Sequence, residues 1–240
     1  MKYINLSLRR AFALISSCFL LNNANAAITT GTYTVGSGGA YANLAAALTD
    51  LNSSTLTGPV VFNILPGTYI GSDWQMQING ITGSSAANTV TFQPSAGAGT
   101  VLIQADGSSS ANYIFELNNV NYVTIRNLAL TNTSSADYGT VIHITGSSSY
   151  DSVYNCTLTA PTATSSSSDM AVVNIGYGSS TVTGGNLYIA NNDVIDGDMG
   201  ITLAGASALT SNDIIDNNTI SGSLTYGMYI GSAGNFKARN

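Results

Sequence analysis

Positive charge is scarce in this chain: there are six Lys and Arg residues among 240, and Lys2, Arg9 and Arg10 all fall within the first ten. Only Arg126, Lys237 and Arg239 follow. Set against twelve acidic residues, these three bases leave the chain beyond residue 26 with a net charge of −9. Phosphate recognition needs a basic face, so no nucleic acid is expected as a partner. Cysteine is scarcer still, with Cys18 and Cys156 alone. Once a leader is removed only Cys156 remains, which rules out an intrachain disulfide and reads as a buried, inert thiol. Long apolar runs are missing too. Ala11 to Leu21 falls short of the roughly 20 apolar residues that a membrane-spanning helix requires, and no later stretch is longer, so no transmembrane segment is expected. Low charge with abundant Ser, Thr, Asn and Gly is a composition that disordered chains share. The recurring Val, Ile, Leu and Tyr argue against disorder, because they supply enough apolar surface for a continuous core.

The start of the chain has the layout of a secretory signal over residues 1–26. Lys2, Arg9 and Arg10 precede the apolar run, and Ala24-Asn25-Ala26 supplies a small-residue cleavage pattern. The protein is therefore expected to be secreted or held at the cell surface. A competing reading takes Ile15-Ser16-Ser17-Cys18 as a lipoprotein box with a lipidated Cys18, although Phe19-Leu20-Leu21 carries the apolar run past the cysteine.

A phrase then recurs: Val or Ile, any residue, Asn, two of any kind, and Leu, Ile or Val. It reads Ile125-Arg126-Asn127-Leu128-Ala129-Leu130, Val153-Tyr154-Asn155-Cys156-Thr157-Leu158, Ile189-Ala190-Asn191-Asn192-Asp193-Val194 and Ile215-Asp216-Asn217-Asn218-Thr219-Ile220. The asparagines lie 28, 36 and 26 residues apart. A constant phrase with variable spacing places strands in register and puts the insertions in loops. Between the phrases runs a second family of short strands: Phe115-Glu116-Leu117, Ile142-His143-Ile144, Val173-Asn174-Ile175, Ile201-Thr202-Leu203 and Met228-Tyr229-Ile230. Apolar flanks around a polar (once Tyr) centre give the period of two of a strand with one buried face. No helix-length segment separates the families, which excludes a βαβ fold. The pattern predicts an all-β, right-handed parallel β-helix, a solenoid whose rungs stack about 4.8 Å apart. The recurring asparagines are expected to form an amide ladder at the bends.

Three units follow: the signal, an N-terminal cap over residues 27–58, and rungs over 59–240. In the cap, Tyr33-Thr34-Val35 reads as a strand and Tyr41 to Leu51 as a helix covering the open end of the stack. Val60 to Ile64, Thr89 to Gln93 and Val101 to Gln104 read as the first strands, with Trp74 packed nearby. Aligning Ile230 with Leu203 places Asn240 level with Asp213, one residue short of the next strand. The expectation is a solenoid incomplete at its C-terminal side, a fragment of a longer protein.

Gly31-Thr32-Tyr33-Thr34-Val35-Gly36, the helix after it, and Pro59 to Tyr69 with its Pro66-Gly67-Thr68-Tyr69 turn carry a resemblance. This stretch resembles the N-terminal module of secreted pectin-lyase-like β-helix proteins of the Bacteroidetes type. The Pro-Gly-Thr-Tyr turn also resembles one shared by pectinesterases and some polysaccharide lyases. It covers residues 28–133 well and the remainder only as generic repeat. The resemblance implies the fold and an extracellular polysaccharide or surface glycan as partner. It does not imply a reaction, because such proteins include lyases, hydrolases, esterases, adhesins and tailspikes.

Candidate chemistry sits in three places. The outward centres Glu116, His143, Asn174, Thr202 and Tyr229 stack, and Glu116 and His143 are the only Glu and His in the chain. Adjacent rungs bring them together as a general acid/base pair, or as two solvated polar residues. Asp193, Asp196, Asp198 and Asp216, with Asp213, offer a possible calcium site or a carboxylate pair for glycoside hydrolysis, or serve as ordinary turn residues. Tyr154, Tyr188 and Tyr229, with Tyr150, offer flat faces for sugar rings. No cofactor other than calcium is suggested. Arg126 is the one candidate base in the body of the rungs, Lys237 and Arg239 standing at the end of the chain. It lies about 14 Å along the stack from the aspartates, too far for the Arg-and-Ca²⁺ arrangement that lyases of this fold imply. The Gly-His-Gly and Arg-Ile-Lys motifs of polygalacturonase-type hydrolases are missing as well. Two function classes remain open. One is a polysaccharide-binding or polysaccharide-acting protein, as an enzyme a lyase or glycoside hydrolase with an incomplete site. The other is a non-catalytic adhesin or structural stalk.

Overall fold

A computed structural model describes residues 28–134, 137–204, 212–231 and 234–239. The leader expected over residues 1–26, with Cys18, lies outside them. The described chain opens with β1 (Gly31–Val35) and α1 (Leu44–Asn52). Six three-stranded rungs follow. The first is β2 (Val60–Ile64), β3 (Gly67–Ile70) and β4 (Met76–Asn79); the second is β5 (Val90–Pro94), β6 (Val101–Ala105) and β7 (Phe115–Asn118). The third comprises β8 (Val123–Arg126), β9 (Ala129–Asn132) and β10 (Ile142–Thr145), and the fourth β11 (Ser152–Tyr154), β12 (Thr157–Thr159) and β13 (Ala171–Ile175). The fifth is β14 (Tyr188–Ala190), β15 (Asp193–Ile195) and β16 (Met199–Leu203); the sixth is β17 (Asn212–Asp216), β18 (Thr219–Ser221) and β19 (Tyr226–Ile230). β20 (Asn235–Arg239) begins another turn.

Equivalent strands of successive rungs pair in parallel, giving sheets in the orders β1-β2-β5-β8-β11-β14-β17-β20, β3-β6-β9-β12-β15-β18 and β4-β7-β10-β13-β16-β19. Three stacked parallel sheets wound by one chain are a parallel β-helix. Alternate residues of β2, β5 and β6 are buried, and the stack closes over them. Phe62 and Phe92 stack with centroids 4.9 Å apart, and Phe115 meets Phe92 edge-on at 5.4 Å. Repeating one apolar type at one inward position lets each rung fill the gap left by the last.

The repeated asparagines have a different task from the expected ladder. Asn127, Asn155, Asn191 and Asn217 all adopt positive φ, between 50° and 61°. They turn the chain between two sheets, a left-handed conformation that asparagine tolerates better than most residues. Among the described residues their side chains make no hydrogen bond. The amide ladder lies one position later and points inward. Asn192 Oδ1 accepts from the Cys156 amide at 3.0 Å, while its Nδ2 donates to Val153 O and Asn218 Oδ1. Asn218 Nδ2 donates to Ile189 O at 2.8 Å.

The helix starts later than its apolar stripe suggests, because Asn43 caps it: Oδ1 accepts the Ala46 amide at 2.9 Å. Tyr41 instead bridges to Val35. Asn52, at the helix end, donates to Gln77 O and accepts from the Asn79 amide, meeting the backbone of the outermost strand of its sheet. Trp74 is buried against Tyr69 in the first rung, with ring centroids 3.9 Å apart. The strand expected to be missing after residue 230 is present. β20 pairs with β17 through Asn212↔Asn235 and Asp213↔Phe236, because residues 231–234 make a shorter connection than residues 204–211.

Candidate functional site in a cleft over one sheet

The sheet of β4, β7, β10, β13, β16 and β19 carries a column of central residues in register: Gln77, Glu116, His143, Asn174, Thr202 and Tyr229. Five of these were expected from the sequence. Gln77 was missed, although Met76-Gln77-Ile78 has the same apolar-polar-apolar signature.

Burial departs from expectation. The strands should hide one face, but β13 and β16 are buried on both, and Glu116 and Thr202 are 8% and 0% exposed. Loops before β7 and β13 and the turn after β13 fold over the column and wall a cleft of about 210 Å³, with Asn112, Tyr113, Asp169 and Tyr177 among its lining. Cross-links hold the walls together. Asn112 Nδ2 donates to Asp169 O at 2.7 Å, and the Gly139 amide donates to the same carbonyl at 2.8 Å. Asn174 Oδ1 accepts the Tyr177 amide at 2.9 Å, so this column residue shapes a wall and is not free for ligand.

Glu116 and His143 form the centre. Glu116 Oε1 lies 3.0 Å from His143 Nδ1, and Glu116 Oε2 accepts from Gln77 Nε2 at 2.5 Å. Burial pushes the Glu116 carboxyl up, but the hydrogen bonds from His143 and Gln77, helped by the imidazole's charge when it is protonated, outweigh it and leave the group below its ordinary value. An ionised carboxylate only accepts, so Nδ1 must donate. Neutral His143 then keeps its lone pair on Nε2, which among the described residues has no hydrogen-bond partner. An imidazole oriented by a carboxylate in this way can take a proton from a bound hydroxyl or water.

The other candidates do not join this centre. Asp193 lies on β15 between Thr157 and Thr219, whereas Asp216 lies on β17 in another sheet and pairs with Arg239 at 3.3 Å. Asp196 occupies a turn at φ 65° and accepts from Thr162 Oγ1. Asp198 is buried, accepting from Ser166 Oγ, the Ser167 amide and the Thr225 hydroxyl, which fastens a loop to the rungs. Asp213 is buried and accepts the Leu187 amide. Among the described residues, no three His, Cys, Asp or Glu side chains come together to hold a metal. Asp193 and Asp216 lie on strands of two different sheets, whereas Asp196 and Asp198 share the turn between β15 and β16 and are held there by separate loop contacts.

The tyrosines also divide. Tyr154 and Tyr188 meet edge-on at 6.2 Å on the sheet of β11 and β14, where the Tyr154 hydroxyl accepts from Arg126 Nη1 at 2.9 Å. Arg126 Nε is held by Gln93 Oε1 at 2.7 Å. Tyr150 stacks on Tyr122 at 4.8 Å. Tyr229 alone shares the column of Glu116 and His143. Its ring lies 5.0 Å from that of Tyr177, a cleft residue the sequence did not single out because it sits in an aperiodic turn.

No protein-family model matches the sequence, and no curated protein matches it. Among solved structures the chain is similar to the pectin methylesterase from Aspergillus niger in deglycosylated form, at a TM-score of 0.48 and 16% identity. The match covers 80% of this chain and 60% of that one, so this chain spans less than two thirds of that protein. At this identity the likeness concerns the fold alone. No helix among the described residues is long and apolar enough to cross a membrane.

Proposed function

We propose that this is an exported polysaccharide-binding β-helix protein whose glycan lies in the cleft over β7, β10 and β13 and continues along Tyr177 and Tyr229. The observation that carries the reading is the cleft itself: an oriented Glu116–His143 pair at its centre, hydroxyl and amide side chains around it, and aromatic rings at one end. Sugar sites combine these elements, because ring hydroxyls need hydrogen-bond partners and the C–H faces of sugars stack on aromatic rings. Export rests on the Lys2–Ala26 leader pattern and belongs to the same proposal. His143 supplies a proton acceptor to whatever hydroxyl or water reaches Nε2.

Affinity electrophoresis through gels containing a panel of plant and bacterial polysaccharides tests the reading, run beside assays for reducing sugar and unsaturated uronate. Retardation by at least one polymer, weakened by Tyr177→Ala, is the expected result. Product release abolished by His143→Ala would make the protein an enzyme, whereas binding without product would make it an adhesin. Unchanged mobility in every gel would overturn the proposal.

A further inference from the structure

We infer that the cleft takes a glycan bearing no negative charge, and that Asp169 at its rim is the residue that selects it. This rests on the polysaccharide reading above. The argument is one of charge placement. Glu116 and Asp169 both line the cleft, and no Lys or Arg does. The Lys and Arg residues among the described ones are Arg126, Lys237 and Arg239, on β8 and β20, and all three belong to a different sheet, while His143 in the cleft is already paired with Glu116. Arg126 is further engaged by Gln93 and Tyr154. A uronate chain in the cleft would set its carboxylates against those of the protein with no guanidinium or ammonium to pair with, the reverse of how carboxylates are recognised.

The two carboxylates are not equivalent. Both Glu116 oxygens are taken, one by Gln77 and one by His143. The Asp169 carboxylate makes no hydrogen bond among the described residues, while its backbone carbonyl is bound by the Gly139 amide, Asn112 Nδ2 and Thr140 Oγ1. The backbone of Asp169 is therefore built into the wall, and its side chain is available to accept from sugar hydroxyls or from a sugar amine. Replacing the side chain leaves the cross-links in place, so charge at the rim can be changed without dismantling the cleft.

The test uses matched pairs of polymers that share a backbone and differ in charge: methyl-esterified galacturonan against its de-esterified acid, and a β-glucan against the same glucan oxidised at C6. Affinity electrophoresis of the full chain is run with wild type, Asp169→Asn and Asp169→Lys, and chitosan against chitin oligosaccharides separates amine from hydroxyl recognition. The expected result is that the uncharged member of a pair binds at least tenfold more tightly than its acid. Asp169→Lys should shrink or reverse that ratio, and 0.5 M salt should narrow it by screening. Equal or tighter binding of the acid, or a ratio unmoved by Asp169→Lys, overturns the inference while leaving polysaccharide binding intact. Absence of binding to every polymer would instead remove the polysaccharide reading, and this inference with it.

Discussion

Asp151 and Asp213 lie on the turns of the coil before and after that of Leu187, and each makes the same contact with the rung before it. Asp151 Oδ1 accepts the Val123 amide and Asp213 Oδ1 accepts the Leu187 amide, both at 2.8 Å. The second oxygen of each carboxyl is buried and, among the described residues, without a partner. Burial raises both above the ordinary aspartate value, Asp151 well above it, with the amide hydrogen bond only partly opposing the rise. Such a group holds its proton more tightly in the folded chain. Its contribution to stability is complete below the unfolded value, about 4, and is lost as pH rises toward the folded value, at about 1.4 kcal/mol per unit of displacement. Asp151→Asn removes the titration. Its melting temperature relative to wild type should climb between pH 4 and pH 8, and a pH-independent difference in calorimetry would contradict the burial of a neutral carboxyl.

Glu116 titrates in the opposite sense. Its folded value lies below its ordinary one, so its stabilisation is present above the unfolded value and fades as pH falls through the folded one. At pH 7, Glu116→Gln should destabilise by about 1–2 kcal/mol, since it weakens two partly buried hydrogen bonds and leaves His143 Nδ1 without an anionic partner. The loss should shrink in acid. A double-mutant cycle with His143→Ala in urea denaturation should show coupling of about 1 kcal/mol or more, and a cycle summing to zero would dissociate the pair.

Neighbouring asparagines should respond differently to substitution. Asn155 sits at φ 54° with no side-chain hydrogen bond among the described residues, so Asn155→Gly should be tolerated and Asn155→Ala should cost about 1 kcal/mol. Asn192 is 1% exposed, and its amide satisfies Cys156 N and Val153 O. Asn192→Ala should cost about 2–3 kcal/mol by stranding both groups. Chemical denaturation of the three variants ranks them, and an Asn155→Ala penalty exceeding that of Asn192→Ala would reverse the assigned roles.

The Cys156 thiol is 2% exposed, and burial raises it to about 12, against weaker opposing hydrogen bonds from the backbone. Thiolate is the reactive form. In a Cys18→Ser background at pH 8, Ellman's reagent should react with the folded protein on the order of a thousandfold more slowly than with the urea-unfolded chain. Comparable rates would mean that the rung opens locally around β11 and β12.

The solenoid was legible because its signals are local. Alternation around Glu116, His143 and Asn174 marks strands whatever lies beside them, and the fixed phrase around Asn127, Asn155, Asn191 and Asn217 marks equivalent corners. The same register placed Glu116 beside His143. The reason for the asparagines was less legible: positive φ and an amide ladder both favour Asn, and in two of the four phrases the ladder residue is the next asparagine. The aspartates misled for a related reason. Turns favour Asp at several corners, and nearness in sequence at a corner does not bring side chains to one point in space.

Residue type and spacing alone determined that the chain coils into parallel rungs and which side chains share a column, because strand alternation and left-handed corners are properties of a few neighbouring residues. Only the tertiary structure decided that one column lies beneath a cleft and that Tyr177 and Asp169 border it. Those outcomes depend on aperiodic Ser- and Thr-rich loops joined by contacts such as Asn112 to Asp169, 57 residues apart, and no local pattern encodes where such loops meet.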